Sequence, residues 1–207
     1  MRGRFVSLEG GEGAGKSTQS RLLAAALESR GLRVLLTREP GGSEGAEAVR
    51  SLLMQGDQGR WSPRAEALLF AAARADHVEK VIEPALASGA WVVCDRFVDS
   101  TRAYQGAGGV DDVDVMALHA FGSRGLLPDR TILLALPPEH GVARATERDG
   151  VDADRFVSRD AAFHQQVAAT FDRIAASEPD RVRRVSATGG PKQVSAAVMA
   201  ELTDLLS

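Results

Sequence analysis

A chain of 207 residues with 44% apolar and 26% charged residues is long enough for one sizeable α/β domain with its own core, and short for two. A net charge of −3 excludes the strongly basic surface of a general nucleic-acid or anionic-membrane binder, and no apolar run reaches the roughly 20 residues of a membrane helix. The single cysteine, Cys94, excludes an intrachain disulfide framework and a Cys/His metal cluster, and it fits a reducing, cytoplasmic setting.

Residues 1–8 carry two arginines without a long apolar run behind them, so no signal peptide is expected. Residues 4–9 read as a strand that runs into glycine-rich sequence. Residues 16–30 form an amphipathic helix, with Leu22, Leu23, Ala26 and Leu27 on one side and Gly31 past its end. A second strand at 33–37 leads to Pro40, Gly41 and Gly42, and helices are expected at 44–54 and 64–86. A fully apolar third strand at 91–94 ends in Asp95 and Arg96. Residues 106–109 read as a flexible loop before a helix at about 112–121. A fourth strand at 131–136 is stopped by Pro137 and Pro138; a helix at 138–148 and a polar loop at 149–154 follow. The chain closes with a helix at 158–176, a fifth strand at 181–186 and a helix at 192–206.

Short apolar strands alternating with helices predict an α/β fold, a five-stranded parallel sheet with helices on both faces. Such sheets bind ligands beyond the carboxyl ends of their strands. The glycine loop after the first strand, Arg38 after the second, and Asp95 and Arg96 after the third should therefore open onto one cleft.

Residues 10–17, GGEGAGKS, fit G-x-x-x-x-G-K-[ST] with a strand before and a helix after. Glycines let backbone N–H groups wrap a phosphate, and the helix N-terminus favours its charge. Lys16 can reach β- and γ-phosphates and the Ser17 hydroxyl can ligate Mg²⁺. A guanine-specific GTPase typically carries an N-K-x-D motif, and this chain contains no asparagine, so a small-molecule kinase leads. Another nucleotide or nucleoside kinase, or a nucleotide-sensing module that no longer turns over, is the rival.

Several runs together resemble the thymidylate kinase family: LEGGEGAGKS at 8–17, TREPGG at 37–42, Asp95-Arg96, STRAYQG at 100–106 and Pro128-Asp129. Their order and spacing fit along essentially the whole chain. The resemblance implies a P-loop nucleoside monophosphate kinase fold and a cytosolic homodimer that makes dTDP from dTMP with ATP and Mg²⁺. It assigns ATP to Gly10, Gly11, Glu12, Gly13, Ala14, Gly15, Lys16, Ser17 and Thr18, with Arg144; the turn at Ala187 and Thr188, just after the fifth strand, is expected near the adenine. It assigns dTMP to Glu12, Arg38, Phe70, Arg74, Arg96, Ser100, Tyr104 and Gln105. Lys16 and Arg96 would be catalytic. Ser17 and, indirectly, Asp95 would organise magnesium, with Glu12 near both the metal and the sugar 3′-hydroxyl.

On periodicity alone Phe70 reads as core. Its i, i+4 spacing to Arg74 also permits stacking on a pyrimidine with a donor one turn away. Ser100 reads equally as a helix cap, and Gln105 as an exposed loop residue. Tyr104, by the resemblance, packs where a ribose 2′-hydroxyl would go. Pro40 invites a cis bond with Glu39. Residues 144–156 correspond to the family's lid. Some thymidylate kinases carry an arginine directly after the acidic loop residue; Gly13 stands there, so Arg148 or Arg155 should supply it. Asp111, Asp112 and Asp114 read as solvated, and the four histidines show no ligand spacing.

Overall fold

In the computed structural model, which describes residues 2–56, 59–149 and 156–206, five parallel strands stand in the order β2-β3-β1-β4-β5. They are β1 (Phe5–Glu9), β2 (Val34–Arg38), β3 (Trp91–Asp95), β4 (Arg130–Ala135) and β5 (Val182–Ser186). Helices α1 (Lys16–Glu28), α2 (Glu44–Met54), α3 (Pro63–His77), α4 (Glu83–Ala87), α5 (Val98–Ala107), α6 (Asp112–Ser123), α7 (Pro138–Asp149), α8 (Ala161–Ser177) and α9 (Pro191–Ala200) connect and cover them.

Strand parity sorts the core into two faces. Val6, Leu8, Trp91, Val93, Ile132 and Leu134 meet Leu23 and Leu27 of α1 and Val194 and Val198 of α9. The intervening residues point the other way. Phe5, Val92 and Cys94 pack on Val78, Ile82 and Leu86, and Leu133 packs on Phe163, Val167 and Phe171 of α8. A strand buried on both faces favours a near-continuous apolar run, and β3 reads WVVC before its terminal aspartate.

The expected long helix at 64–86 is a continuous stretch interrupted by a π-helical turn, Val78–Ile82. Its start is fixed by Pro63 and by the Ser62 hydroxyl, which accepts from the Ala65 N–H. Two expectations shift at their ends. The helix read from 158 begins at Ala161, capped by Asp160, and the last helix stops at Ala200 before a 3₁₀ turn.

One element is unexpected: α5 occupies a segment for which no element is read, and it runs through Gly106 into what reads as a loop. Its capping group is not local. The Glu9 carboxylate, at the end of β1, accepts from the N–H groups of Phe97 (2.7 Å) and Ser100 (3.2 Å) and from the Ser100 hydroxyl (2.5 Å). A buried strand residue thus satisfies donors that a helix start otherwise leaves open. Burial and the neighbouring Asp99 raise the Glu9 pKa, against the Ser100 hydroxyl, the Arg96 charge and the Phe97 N–H. The Pro128-Asp129 pair has a related job: Asp129 accepts from the Phe5 N–H at 2.7 Å, tying the approach to β4 to the start of β1.

Candidate active site

Register sets the site. Leu8 lies beside Asp95 and Asp95 beside Arg38, so the glycine loop, Arg38 and Asp95 all leave the sheet at its carboxyl edge. Gly15, with φ of 89°, turns the chain into α1, so Lys16 and Ser17 form its first turn. Lys16 is buried, and its ammonium donates to the Gly10 and Gly11 carbonyls at 3.1 and 2.7 Å. Burial, then the Arg96 guanidinium, push its pKa down to about 8, although Glu12, Asp95 and Glu9 pull upward. Ser17 donates to Asp95 at 2.5 Å.

Arg96 has φ of 70°, a conformation that a residue with a Cβ rarely adopts, and its N–H is bonded to the Leu8 carbonyl. This bend aims the guanidinium back over the loop. It donates to Glu12 at 2.8 Å and to the Ser100 hydroxyl at 3.2 Å, and lies 5.0 Å from the centre of the Tyr104 ring. Tyr104 donates its own hydroxyl to Glu12 at 2.6 Å. Burial would raise the Glu12 pKa; Arg96, Lys16 and the Tyr104 hydroxyl outweigh it and hold Glu12 at about 2. Burial pushes Tyr104 well above its ordinary value, so it stays a donor.

Next to this cluster is a cavity between α3 and α5, lined by Phe70, Arg74, Arg96, Ser100, Tyr104, Gln105 and Glu12. Phe70 is half-buried, with its ring 6.1 Å from that of Phe156, which also closes the cavity. Arg74 is almost fully buried. It donates from Nε to Glu39 and from Nη2 to Thr101, both at 2.7 Å. Arg38 lies on the outer side, paired with Glu47 at 2.9 Å, in a polar cleft shared with Lys16, Ser17, Asp95, Arg96 and Arg50. The Glu39–Pro40 bond is cis.

A separate cleft joins Ala14, Gly15 and Thr18 to Arg144, Ala187 and Thr188. The approach of α7 to the loop explains Gly13. A Cβ there would come 2.0 Å from the Gly141 carbonyl and 3.1 Å from the Arg144 Cβ. Arg155 lies outside the described residues, as do the polar loop at 150–154 and the side chain of Arg148.

Sequence reasoning passed over several residues at this site. Glu39 and His77 form a buried set with Arg74: His77 lies 3.1 Å from Glu39 and 2.8 Å from Thr37. Glu39 stands inside the TREPGG run, which was signal enough. Arg50 of α2 donates to the Pro40 carbonyl and lines both the cavity and the polar cleft; nothing local marks it. Glu66, buried beside Gln105, is four residues before Phe70 and eight before Arg74, on the same helix face.

A glycine loop that opens a helix at the carboxyl edge of a 2-3-1-4-5 parallel sheet, with buried cations above it, defines a P-loop phosphotransferase of the nucleoside monophosphate kinase fold. A thymidylate kinase family profile matches residues 8–198. The chain is 58% identical over 207 residues to a thymidylate kinase of Rhizorhabdus wittichii, covering 100% of both proteins. It is 52% identical over 200 residues to that of Caulobacter vibrioides, covering 95% of this chain and 94% of the relative. Among solved structures, thymidylate kinase from Ehrlichia chaffeensis superposes with a TM-score of 0.80 at 31% identity, covering 98% of this chain and 100% of that one. The chain belongs to the thymidylate kinase family, enzymes that phosphorylate dTMP to dTDP.

Proposed function

We propose that this chain holds dTMP in the cavity between α3 and α5 and ATP over the glycine loop, and moves the γ-phosphoryl group in line between them. The observation that carries this reading is one continuous cavity lined by Phe70, Arg74, Tyr104 and Gln105 that reaches Glu12 and Arg96 beside the loop. An oxygen of the acceptor 5′-phosphate forms the new bond to the γ-phosphorus, and the bond to the β–γ bridging oxygen breaks, leaving with ADP. The attacking oxygen is already anionic, so neither a protein nucleophile nor a base is needed; positioning and charge neutralisation carry the reaction.

Arg96 and Arg38 clamp the acceptor phosphate, and Lys16 holds the β- and γ-phosphates. Glu12, ionised at neutral pH, accepts from the sugar 3′-hydroxyl. Tyr104 lies beneath the sugar and excludes a 2′-hydroxyl, and Phe70 stacks on the base. Ser17 and Asp95 present hard oxygen donors 2.5 Å apart next to Lys16, a set that fits Mg²⁺ shared with substrate phosphates. When bound, the metal neutralises phosphate charge. Among the described residues no cluster of three carboxylate, histidine or cysteine side chains competes with that site.

Residues 144–156 close as a lid on the ATP side and bring Arg148 or Arg155 to the transferred group. Exposed Leu68 on α3 and Val113 and Phe121 on α6 leave apolar surface suited to a homodimer, in the cytoplasm as the family resemblance implies. A steady-state assay with dTMP, dUMP, dCMP and a ribonucleotide, with and without magnesium, tests this reading. The highest kcat/KM belongs to dTMP, with turnover lost on chelation; a better acceptor, or turnover without a divalent ion, overturns it.

A further inference from the structure

Gln105 is 2% exposed and Glu66 is 6% exposed, yet only Gln105 lines the cavity. The Gln105 Nε2 donates to Glu66 Oε1 at 2.9 Å. A primary amide has one donating end and one accepting end, and a carboxylate only accepts. Glu66 behind Gln105 therefore selects which end faces away. The remaining atom, Oε1, receives no hydrogen bond among the described residues. On the facing helix, Arg74 spends Nε on Glu39 and Nη2 on Thr101, and its Nη1 donates to nothing among the described residues. The cavity thus offers one fixed donor and one fixed acceptor beside the Phe70 ring.

Thymine and uracil present a carbonyl acceptor at position 4 and an N–H donor at position 3. Cytosine presents the reverse, an amino donor and a bare nitrogen acceptor. We propose that Glu66 is a positioning residue that locks the Gln105 amide with its carbonyl toward the base, and so makes the pocket reject cytosine. The inference rests on the cavity between α3 and α5 being the acceptor site. A base with the reversed pattern would leave a buried donor and a buried acceptor unpaired, the situation in which sites discriminate most steeply.

The test is kcat/KM for dTMP and dCMP in the parent, Glu66→Gln and Phe70→Ala enzymes. A glutamine at 66 can donate as well as accept, which frees the Gln105 amide to turn over. In Glu66→Gln the dTMP-to-dCMP ratio falls at least about tenfold while KM for ATP stays put; a purely structural role for Glu66 would not move that ratio. An unchanged ratio in a folded variant overturns the proposal. Phe70→Ala separates the two levels. If it raises KM for dTMP while Glu66→Gln leaves the ratio alone, the acceptor site stands and the role of Glu66 falls. If it leaves KM for dTMP unchanged, the acceptor site is elsewhere and both fall. Should Glu66→Gln fail to fold, Glu66→Gln combined with Gln105→Glu keeps the net charge and the buried donor–acceptor pair, and still turns an acceptor to the base. That enzyme retains the parental preference for dTMP over dCMP, and loss of the preference contradicts the proposal.

Discussion

Helix α5 separates two ionic clusters. The inner one lies between α5, β4 and the ends of α6 and α8. Asp99 receives both Nη atoms of Arg181, at 2.7 and 3.0 Å, and Arg102 at 3.1 Å, and Arg102 also bonds Glu178 and Asp112 at 2.6 and 2.8 Å. Burial would raise the Asp99 pKa, and Arg181 and Arg102 lower it instead. Each buried charge there meets an opposite protein charge. The outer cluster, at the glycine loop, is differently matched. Lys16 rests on two carbonyls of its own loop, and burial, with the nearby Arg96 guanidinium second, depresses its pKa to about 8. Arg96 pairs with Glu12 there, but among the described residues the Lys16 ammonium is bonded only to those carbonyls and lines an open polar cleft, whereas the Asp99 carboxylate is enclosed by two guanidinium groups. Closed charge networks hold a fold; open ones hold ligands.

Breaking the inner cluster should give the largest effect. Asp99→Ala leaves Arg181 and Arg102 short of a buried partner and costs about 3–5 kcal/mol of stability, read from the urea midpoint. A loss under about 1 kcal/mol would mean that the inner cluster is no tighter than a surface pair.

Lys16→Ala, in the outer cluster, does the opposite: turnover falls about 10²–10³-fold while the melting temperature holds or rises, because the variant removes a charge that was costly to bury. The same lysine sets a pH limit. Its folded pKa lies below the ordinary value, so the ammonium that phosphates need is present below about pH 8 and lost above it. The kcat/KM for ATP, which reports the free enzyme, should decline as pH rises through that value. A flat profile to pH 9 would remove Lys16 from the donor site.

The apolar wall beside the outer cluster contributes less. One methyl group separates dTMP from dUMP, worth about 1–3 kcal/mol, or roughly 10–200-fold in kcat/KM. Equal use of dUMP would show that the cavity does not enclose that methyl group. Smallest is the effect expected of the proposed lid arginines: Arg148→Ala or Arg155→Ala should lower turnover at least about tenfold, some 1.4 kcal/mol of transition-state stabilisation, with dTMP affinity unchanged. Normal turnover in both variants would leave Gly13 compensated from elsewhere.

The sheet was readable in the sequence because its central strands carry short apolar runs, WVVC in β3 and ILLA in β4, and because glycine or proline follows β1, β2 and β4. The glycine loop was readable because its geometry demands glycine in fixed places. Helix α5 was not, since its N-terminus is capped from β1, across 88 residues of chain between Glu9 and Phe97. Arg50 escaped for the same reason: it reaches the cavity only through the packing of α2 on α3. Glu66 was within reach, spaced by helical turns from Phe70 and Arg74, but a buried carboxylate on a helix face has no sequence signature of its own.

The measurement closest to the central claim is binding of dTMP and of ATP to Phe70→Ala by titration calorimetry, alongside its thermal unfolding. Phe70 is half-buried at the cavity wall and belongs to no strand or cap, so it can serve either the core or the ligand. The acceptor-site account predicts dTMP affinity weakened at least about tenfold, the loss of roughly 1.4 kcal/mol of stacking and apolar contact, with ATP affinity unchanged. Unchanged dTMP affinity together with a large drop in melting temperature would contradict it and return Phe70 to the core.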